Sequence, residues 1–347
     1  MSYRRRQERR GGINAWVHAG ALALAAVVPS SGIAQSTRVD VSLGDVSINK
    51  VPQLVAADQG LYAKYGLDVH QTISASAART AAASGVVVPD AYVNRDAGAA
   101  APIDVGGGSP MIYGFVTNAR GAARVVVLTQ EPMVVGHVIA KPGIAGVQDL
   151  KGKRIGFTGV GSVTHFSALA LARQLGWNPD REITLVGGSA TLDALKQDKV
   201  DAILASAMVI ALAPQAGFKD IGDLTAYKMP MAGSGIMVDK AYLAAHRDTV
   251  LRFLKADIEA TALMQRDRRV FNAALAKWFN ITDARTQDGM FAYVNKFEKK
   301  PYPSVDGIKQ VFALYDSAEM RKHRPEEFYD SSLVAELDKS GFLDNPK

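Results

Sequence analysis

Four short loops place glycine or serine after a strand pattern and just ahead of a helical one. They are Gly106–Ser109, Gly159–Ser162 with Thr164, Gly187–Ser189, and Ser206. A helix start presents unpaired N–H groups and a partial positive charge, so it attracts anions. A serine there either caps the helix or turns its hydroxyl to a ligand, and capping is the commoner use. Ligands of open α/β sheets sit beyond the carboxyl ends of the strands. Four such loops therefore point to a site for a small anionic or polar molecule, although each alone is weak. His165 falls in the first helical turn beside Ser162 and Thr164, within reach of that molecule; a packed or solvated histidine is the alternative. Arg79 and Arg95 are candidate partners for an anion, or solvated surface charge.

Other chemistries fail on particulars. Gly156–Ser162 lacks the Gly-Lys-Ser/Thr ending of a phosphate-binding loop, and Gly106-Gly107-Gly108 lacks the third spaced glycine of a dinucleotide loop. Neither a His-Glu-x-x-His nor a Gly-x-Ser-x-Gly sequence occurs. The six histidines are scattered, so no metal centre or other cofactor is expected. Zero cysteines exclude disulfides, thiolate zinc sites and a cysteine nucleophile.

The elements that must position these loops alternate. Val39–Val46 reads as a strand, Val51–Tyr65 as a helix closed by Gly66, and Leu67–Ile73 as a second strand. An Ala-rich helix over Ala75–Ser84, strand Ile103–Val105, helix Met111–Asn118 and strand Arg124–Leu128 follow. A second series starts at strand Val134–Ala140. It continues with a helical turn at Val147–Lys151, strand Arg154–Phe157, a helix ending at Gly176, strand Ile183–Val186, a helix through Lys199 and strand Ala202–Leu204. Ser206 then opens an apolar helix ended by Gly217, and Phe218–Ile221 is a short strand. Beyond strand Ser234–Val238 the pattern is almost wholly helical, including one helix over Val305–Lys322. Such repeats imply an α/β chain with mostly parallel sheets covered by helices.

The chain has 347 residues, 40 basic and 34 acidic, with a net charge of +6. That length suggests about two domains. Arg4, Arg5, Arg6, Arg9 and Arg10 precede an apolar run from Ala15 to Val28 and small residues at Gly32 and Ala34. Residues 1–34 read as a secretory signal peptide; the apolar run is shorter than the roughly 20 residues a membrane span needs. Without them 35 basic and 33 acidic residues remain, a net charge of +2. The positive charge therefore belongs mainly to an export label, and no nucleic-acid partner is expected.

Several stretches in order resemble the periplasmic substrate-binding proteins of the nitrate/sulfonate/taurine type of ABC transporter, the SsuA/THI5-like (NMT1-like) group. They are Val55 to Val69 (VAADQGLYAKYGLDV), Ile103 to Pro110 (IDVGGGSP), and Leu150 to Gly156 (LKGKRIG) followed by Gly161-Ser162. Ala194-Leu195-Lys196 with Val200-Asp201-Ala202 completes the set. The resemblance covers about two thirds of the chain after residue 34. It implies a two-lobed periplasmic-binding-protein fold (type II) whose chain crosses between lobes twice, near Gln130–Val134 and Ala232–Gly235. Lobe one would be residues 38–131 plus 235–347, and lobe two 132–234. The family's ligand-contacting positions map here onto Asn49 and Lys50; Gly108 and Ser109; Gly161, Ser162 and Thr164; and Ser189 and Ala190. One departure is an insertion over Val86–Ala101, either a cleft rim or a surface loop.

The resemblance implies a soluble periplasmic receptor, monomeric and not an enzyme. It would hand a small-molecule anionic ligand, such as a sulfonate or aromatic carboxylate, to an ABC permease of the inner membrane. The alternative is an enzyme of the same fold acting on a pyrimidine or aromatic substrate. The thiamine-pyrimidine synthases and aromatic desulfinases of this group use cysteine, which this chain lacks.

Overall fold

The computed structural model describes residues 36–44, 47–75, 77–79, 88–94, 101–118, 123–205, 209–210 and 213–346. The signal-peptide expectation, Arg95, most of the Ala-rich helix and Ser206 therefore lie outside the described residues. Eleven described strands form two sheets, one of six strands and one of five. The first contains β1 (Thr37–Leu43), β2 (Leu67–Ser74), β3 (Val93–Asn94), β4 (Ile103–Gly107), β5 (Arg124–Thr129) and β11 (Ser234–Asp239), in the order β3-β2-β1-β4-β11-β5. The second contains β6 (His137–Ala140), β7 (Arg154–Phe157), β8 (Thr184–Gly187), β9 (Ala202–Ala205) and β10 (Lys219–Asp223), in the order β10-β6-β9-β7-β8.

The two sheets share one plan. In each, a parallel trio (β2-β1-β4, β8-β7-β9) is followed by an antiparallel strand and then an edge strand. β6 opens the chain's run through the second sheet just after the first crossing, and β11 returns to the first sheet just after the second. Two segments join the sheets, 130–136 and 224–233. They pair with each other: Gly233 N–H donates to Glu131 O at 3.2 Å, Met231 N–H to Pro132 O at 2.8 Å, and Val134 N–H to Met229 O at 2.8 Å. Met133 and Pro230 form an antiparallel bridge within the same ribbon.

Burial explains the strands. Val126, Val127 and Leu128 in β5 and Ala202, Ile203 and Leu204 in β9 are all buried, as strands covered on both faces require. One core packs the first sheet against helices Val51–Asp58, Arg247–Arg266 and Arg268–Phe279. A second core joins Ile155, Phe166 and Leu204 to Ile112, Ile308 and Phe328, so helices Gly108–Asn118, Val163–Gln174 and Val305–Leu314 share it. Burying Phe166 alone stabilises by about 2–3 kcal/mol.

Several boundaries differ from the sequence reading. The helix expected over Val51–Tyr65 is two, Val51–Asp58 and Leu61–Lys64. Gly60, at φ +67°, breaks it, because a left-handed residue cannot continue a right-handed helix. The helix expected from Met111 starts at Gly108, inside the glycine run. The helix expected over Val305–Lys322 stops at Leu314, where Tyr315 leaves helical backbone and a 3-10 turn over Met320–Lys322 follows later. Within the insertion, β3 adds a parallel edge to β2, and Tyr92 packs edge-on against Trp278 with ring centroids 4.9 Å apart.

Candidate functional site

The loop after β7 is built by capping. Ser162, in extended backbone, accepts a hydrogen bond from the His165 N–H at 3.2 Å, one of the donors a helix start leaves unpaired. Its Oγ also accepts from the Gly159 N–H at 3.3 Å and lies 3.1 Å from Thr164 Oγ1. Thr164 accepts from the Thr158 N–H at 2.8 Å and donates to Thr158 Oγ1 at 3.0 Å. Both hydroxyls thus serve the loop's own geometry. The loop after β8 leans on it: Gly188 N–H donates to Thr158 O, and Ser189 N–H to Phe157 O, each at 3.1 Å. Ser189 is buried with its hydroxyl 3.4 Å from Gly187 O, and Ala190 is half-buried. Thr191, not a serine, caps the next helix by accepting from Ala194 N–H at 3.1 Å.

Gly161, at φ +80°, faces an aromatic group. A Cβ there would fall 2.2 Å from Cδ1 of Tyr113. Tyr113 stands 4.6 Å from Tyr315, centroid to centroid, and His165 stacks on Phe157 at 4.5 Å. His165 Nδ1 accepts from the Gly161 N–H at 3.1 Å and lies 3.1 Å from the Tyr315 hydroxyl. The acceptor role at Nδ1 puts the neutral ring's proton on Nε2. Burial lowers the His165 pKa below its ordinary value, which favours this neutral form. His165 is therefore a packed histidine with one polar edge left to offer.

The loop after β4 sits directly on a crossing segment. Ser109 is fully buried; its N–H donates to Ala232 O at 2.8 Å and its Oγ to the same oxygen at 3.0 Å. Gly108 N–H donates to Gly233 O at 3.0 Å. A Cβ on the preceding Gly107 would lie 2.9 Å from Val163 Cγ2, so the two helix starts nearly touch.

After β1, Ser47 Oγ donates to Asn49 Oδ1 at 2.5 Å and Lys50 Nζ to the same atom at 2.9 Å. Lys50 is 3% exposed. Glu131, on the first crossing segment, stands in this group. Its carboxylate accepts from the Tyr293 hydroxyl and, at 3.3 Å, from the Ser234 N–H. Burial pushes the Glu131 carboxyl up, while Tyr293, the Lys50 charge, Ser234 and Asn49 pull it down. The positive charge of Lys50 is thus answered inside the protein.

The structure brings together Gly108, Ser109, Gly161, Ser162, Thr164, His165 and Ser189 through these contacts, with Ala190 following Ser189 in the chain. Asn49 and Lys50 meet Glu131 instead, beside the crossings. Arg79 is exposed. Glu131, Tyr113, Tyr293 and Tyr315 were not singled out from sequence; Gly161 alone hinted that something bulky faces it. Among the described residues no group of three or more His, Cys, Asp or Glu could hold a metal ion.

Two sheets of one plan, each with an antiparallel strand that follows directly on a crossing, and a paired crossing ribbon are the fold of periplasmic binding proteins. Solved structures bear this out. The alkanesulfonate-binding protein SsuA of Xanthomonas axonopodis pv. citri, bound to MOPS, superposes with a TM-score of 0.60 at 18% identity, over 84% of this chain and 96% of that one. The nitrate-binding protein NrtA of Synechocystis PCC 6803 gives 0.65 at 11% identity, over 88% and 89%. The fold also houses catalysis: the desulfurization enzyme DSZB gives 0.57 at 11% identity, over 88% and 99%. At these identities the likeness is one of fold. In sequence, residues 107–267 match the family model described as NMT1/THI5 like, in agreement with the resemblance read from the motifs. A Brachyspira hyodysenteriae protein described as a "putative ABC transporter periplasmic binding protein" is 25% identical over 163 residues, 47% of this chain; the match spans 46% of that relative's length. No helix among the described residues is long and apolar enough to cross a membrane.

Proposed function

We propose that this protein is an exported solute receptor of an ABC importer that captures a small organic anion between its two lobes. The lobes are residues 38–131 with 235–347, and residues 132–234. The observation that carries the reading is the meeting of one helix start from each sheet, after β4 and after β7, with the loop after β8 leaning on the second. The partial positive charge there, with the N–H groups of Val163 and Thr164 in the first turn after Ser162, suits an anionic head group. With Lys50 balanced by Glu131 and His165 neutral, the anion is held by dipoles and donors. The half-buried rings of Tyr113, Tyr315 and His165 favour an organic body, a sulfonate or aromatic carboxylate, over nitrate. Closure follows if the ligand touches both lobes in the closed state only. The chain has no cysteine for the thiol chemistry of the fold's enzymes. Delivery to an inner-membrane permease completes the reading.

The test is a thermal-shift screen of sulfonates, aromatic acids and nitrate, followed by calorimetry on Ser162→Asp. Aspartate caps a helix as well as serine does, so the variant folds while placing a negative charge at the helix start. An organic anion should raise the melting temperature of the unaltered chain, and Ser162→Asp should lose its binding. Unchanged affinity in the variant sinks the assignment of this loop.

A further inference from the structure

A cavity of 370 Å³ opens between helix Arg247–Arg266, the 295–301 segment and the chain end at 343–346, and shares no lining residue with the site above. Its buried lining is acidic and rich in acceptors. Asp257 is 1% exposed and Gln130 2%. Asp257 accepts from the side-chain amide of Gln53, and from that of Gln130 at 3.5 Å, the outer limit of a hydrogen bond. Among the described residues the groups that act on its charge are the Gln53 and Gln130 amides, with no lysine or arginine beside them. Gln130 Oε1 is buried without a partner, and so are the neighbouring amide oxygens Gln53 Oε1 and Gln71 Oε1. Folded proteins leave few such groups, and a buried carboxylate without a cation is rarer still.

We propose that this cavity binds a small organic cation through a primary ammonium group. The ammonium donates to Asp257 and, by rotation of the Gln130 amide, to Gln130 Oε1. Its three N–H donors match what the floor lacks. Leu128, Ile258 and Leu343 line the walls and suit a short methylene chain. At the mouth Glu298 and Asp344 stand with Arg266 and Lys299, so the rim is balanced and the floor selects the charge. The volume falls in the usual range of small-molecule sites. Burial raises the Asp257 pKa to about 7, a cost that a bound ammonium would offset by holding the carboxylate ionised. Gln130 also donates its backbone N–H to Ser234 O, so the occupied cavity would abut the crossing ribbon.

The experiment is thermal unfolding of the full chain with 1,4-diaminobutane, against tetramethylammonium and sodium chloride at matched ionic strength. The diamine should give a saturable rise in melting temperature; tetramethylammonium, which has no N–H donor, and sodium should not. Asp257→Asn should raise the half-saturating diamine concentration by at least about tenfold. Ala262→Phe, which fills the cavity from its helix wall and leaves Asp257 in place, should do the same and serves if Asp257→Asn fails to fold. No saturable rise in the unaltered chain, an equal rise with tetramethylammonium, or full response in either folded variant overturns the proposal.

Discussion

Asp257 is a residue whose cost can be measured. Its carboxyl is raised to about 7 in the folded state by burial, against about 3.9 when unfolded. Between these values the folded chain binds the extra proton, so stability falls as pH rises through that window and the penalty is complete above 7. A three-unit shift corresponds to about 4 kcal/mol as an upper bound. Asp257→Asn should therefore be more stable than the unaltered chain at pH 8, without added amine, and the gain should fade near pH 4. Rotating the Gln53 or Gln130 amide would turn an unpartnered oxygen toward the amide donors that the substitution introduces. Urea midpoints across pH 4 to 8 check this; a gain independent of pH would contradict it.

At the scale of elements, the helix at Val163 is seated by a glycine and a ring. Gly161→Ala must adopt φ +80° and displace Tyr113, costing about 1 kcal/mol for the backbone and about 1–3 for overpacking. Gly159 has open space around it, so Gly159→Ala is the control and should change little. Denaturant midpoints at constant slope separate the two. This level also shows what sequence made legible. The strands were readable because runs such as Val125–Leu128 are apolar and bounded by turn residues. The cap at Ser162 was readable because capping is local chemistry. The destination of each hydroxyl was not: Ser109 turns to Ala232, 123 residues away, and Tyr315 to His165, 150 residues away. Likewise nothing local marks Glu131 as buried among Lys50, Asn49 and Tyr293. The break at Gly60 was hidden because the apolar spacing runs on through it.

For the whole molecule, the paired crossings 130–136 and 224–233 make a hinge the expected mode of motion. A chain of this length has a radius of gyration of about 20 Å when compact. Small-angle scattering should show that radius falling on addition of an organic anion that stabilises the fold, and not on addition of a non-binding salt. An unchanged radius at saturating ligand would remove closure from the proposed mechanism.

The late arrival of β11 also orders events in time. β4 and β5 hydrogen-bond through β11, which follows them by more than a hundred residues. A chain emerging from its amino end thus holds a gap in its first sheet until Ser234–Asp239 arrives, and the edges flanking that gap stay unpaired meanwhile. The second sheet, built wholly from strands between His137 and Asp223, has no such wait; the delay belongs to the first sheet. The same long-range closure makes folding slow once the chain is free, since the loop entropy falls due before the contacts that offset it. If the chain is exported as proposed, a polypeptide that passes a narrow passage unfolded is served by a first sheet that postpones its own completion.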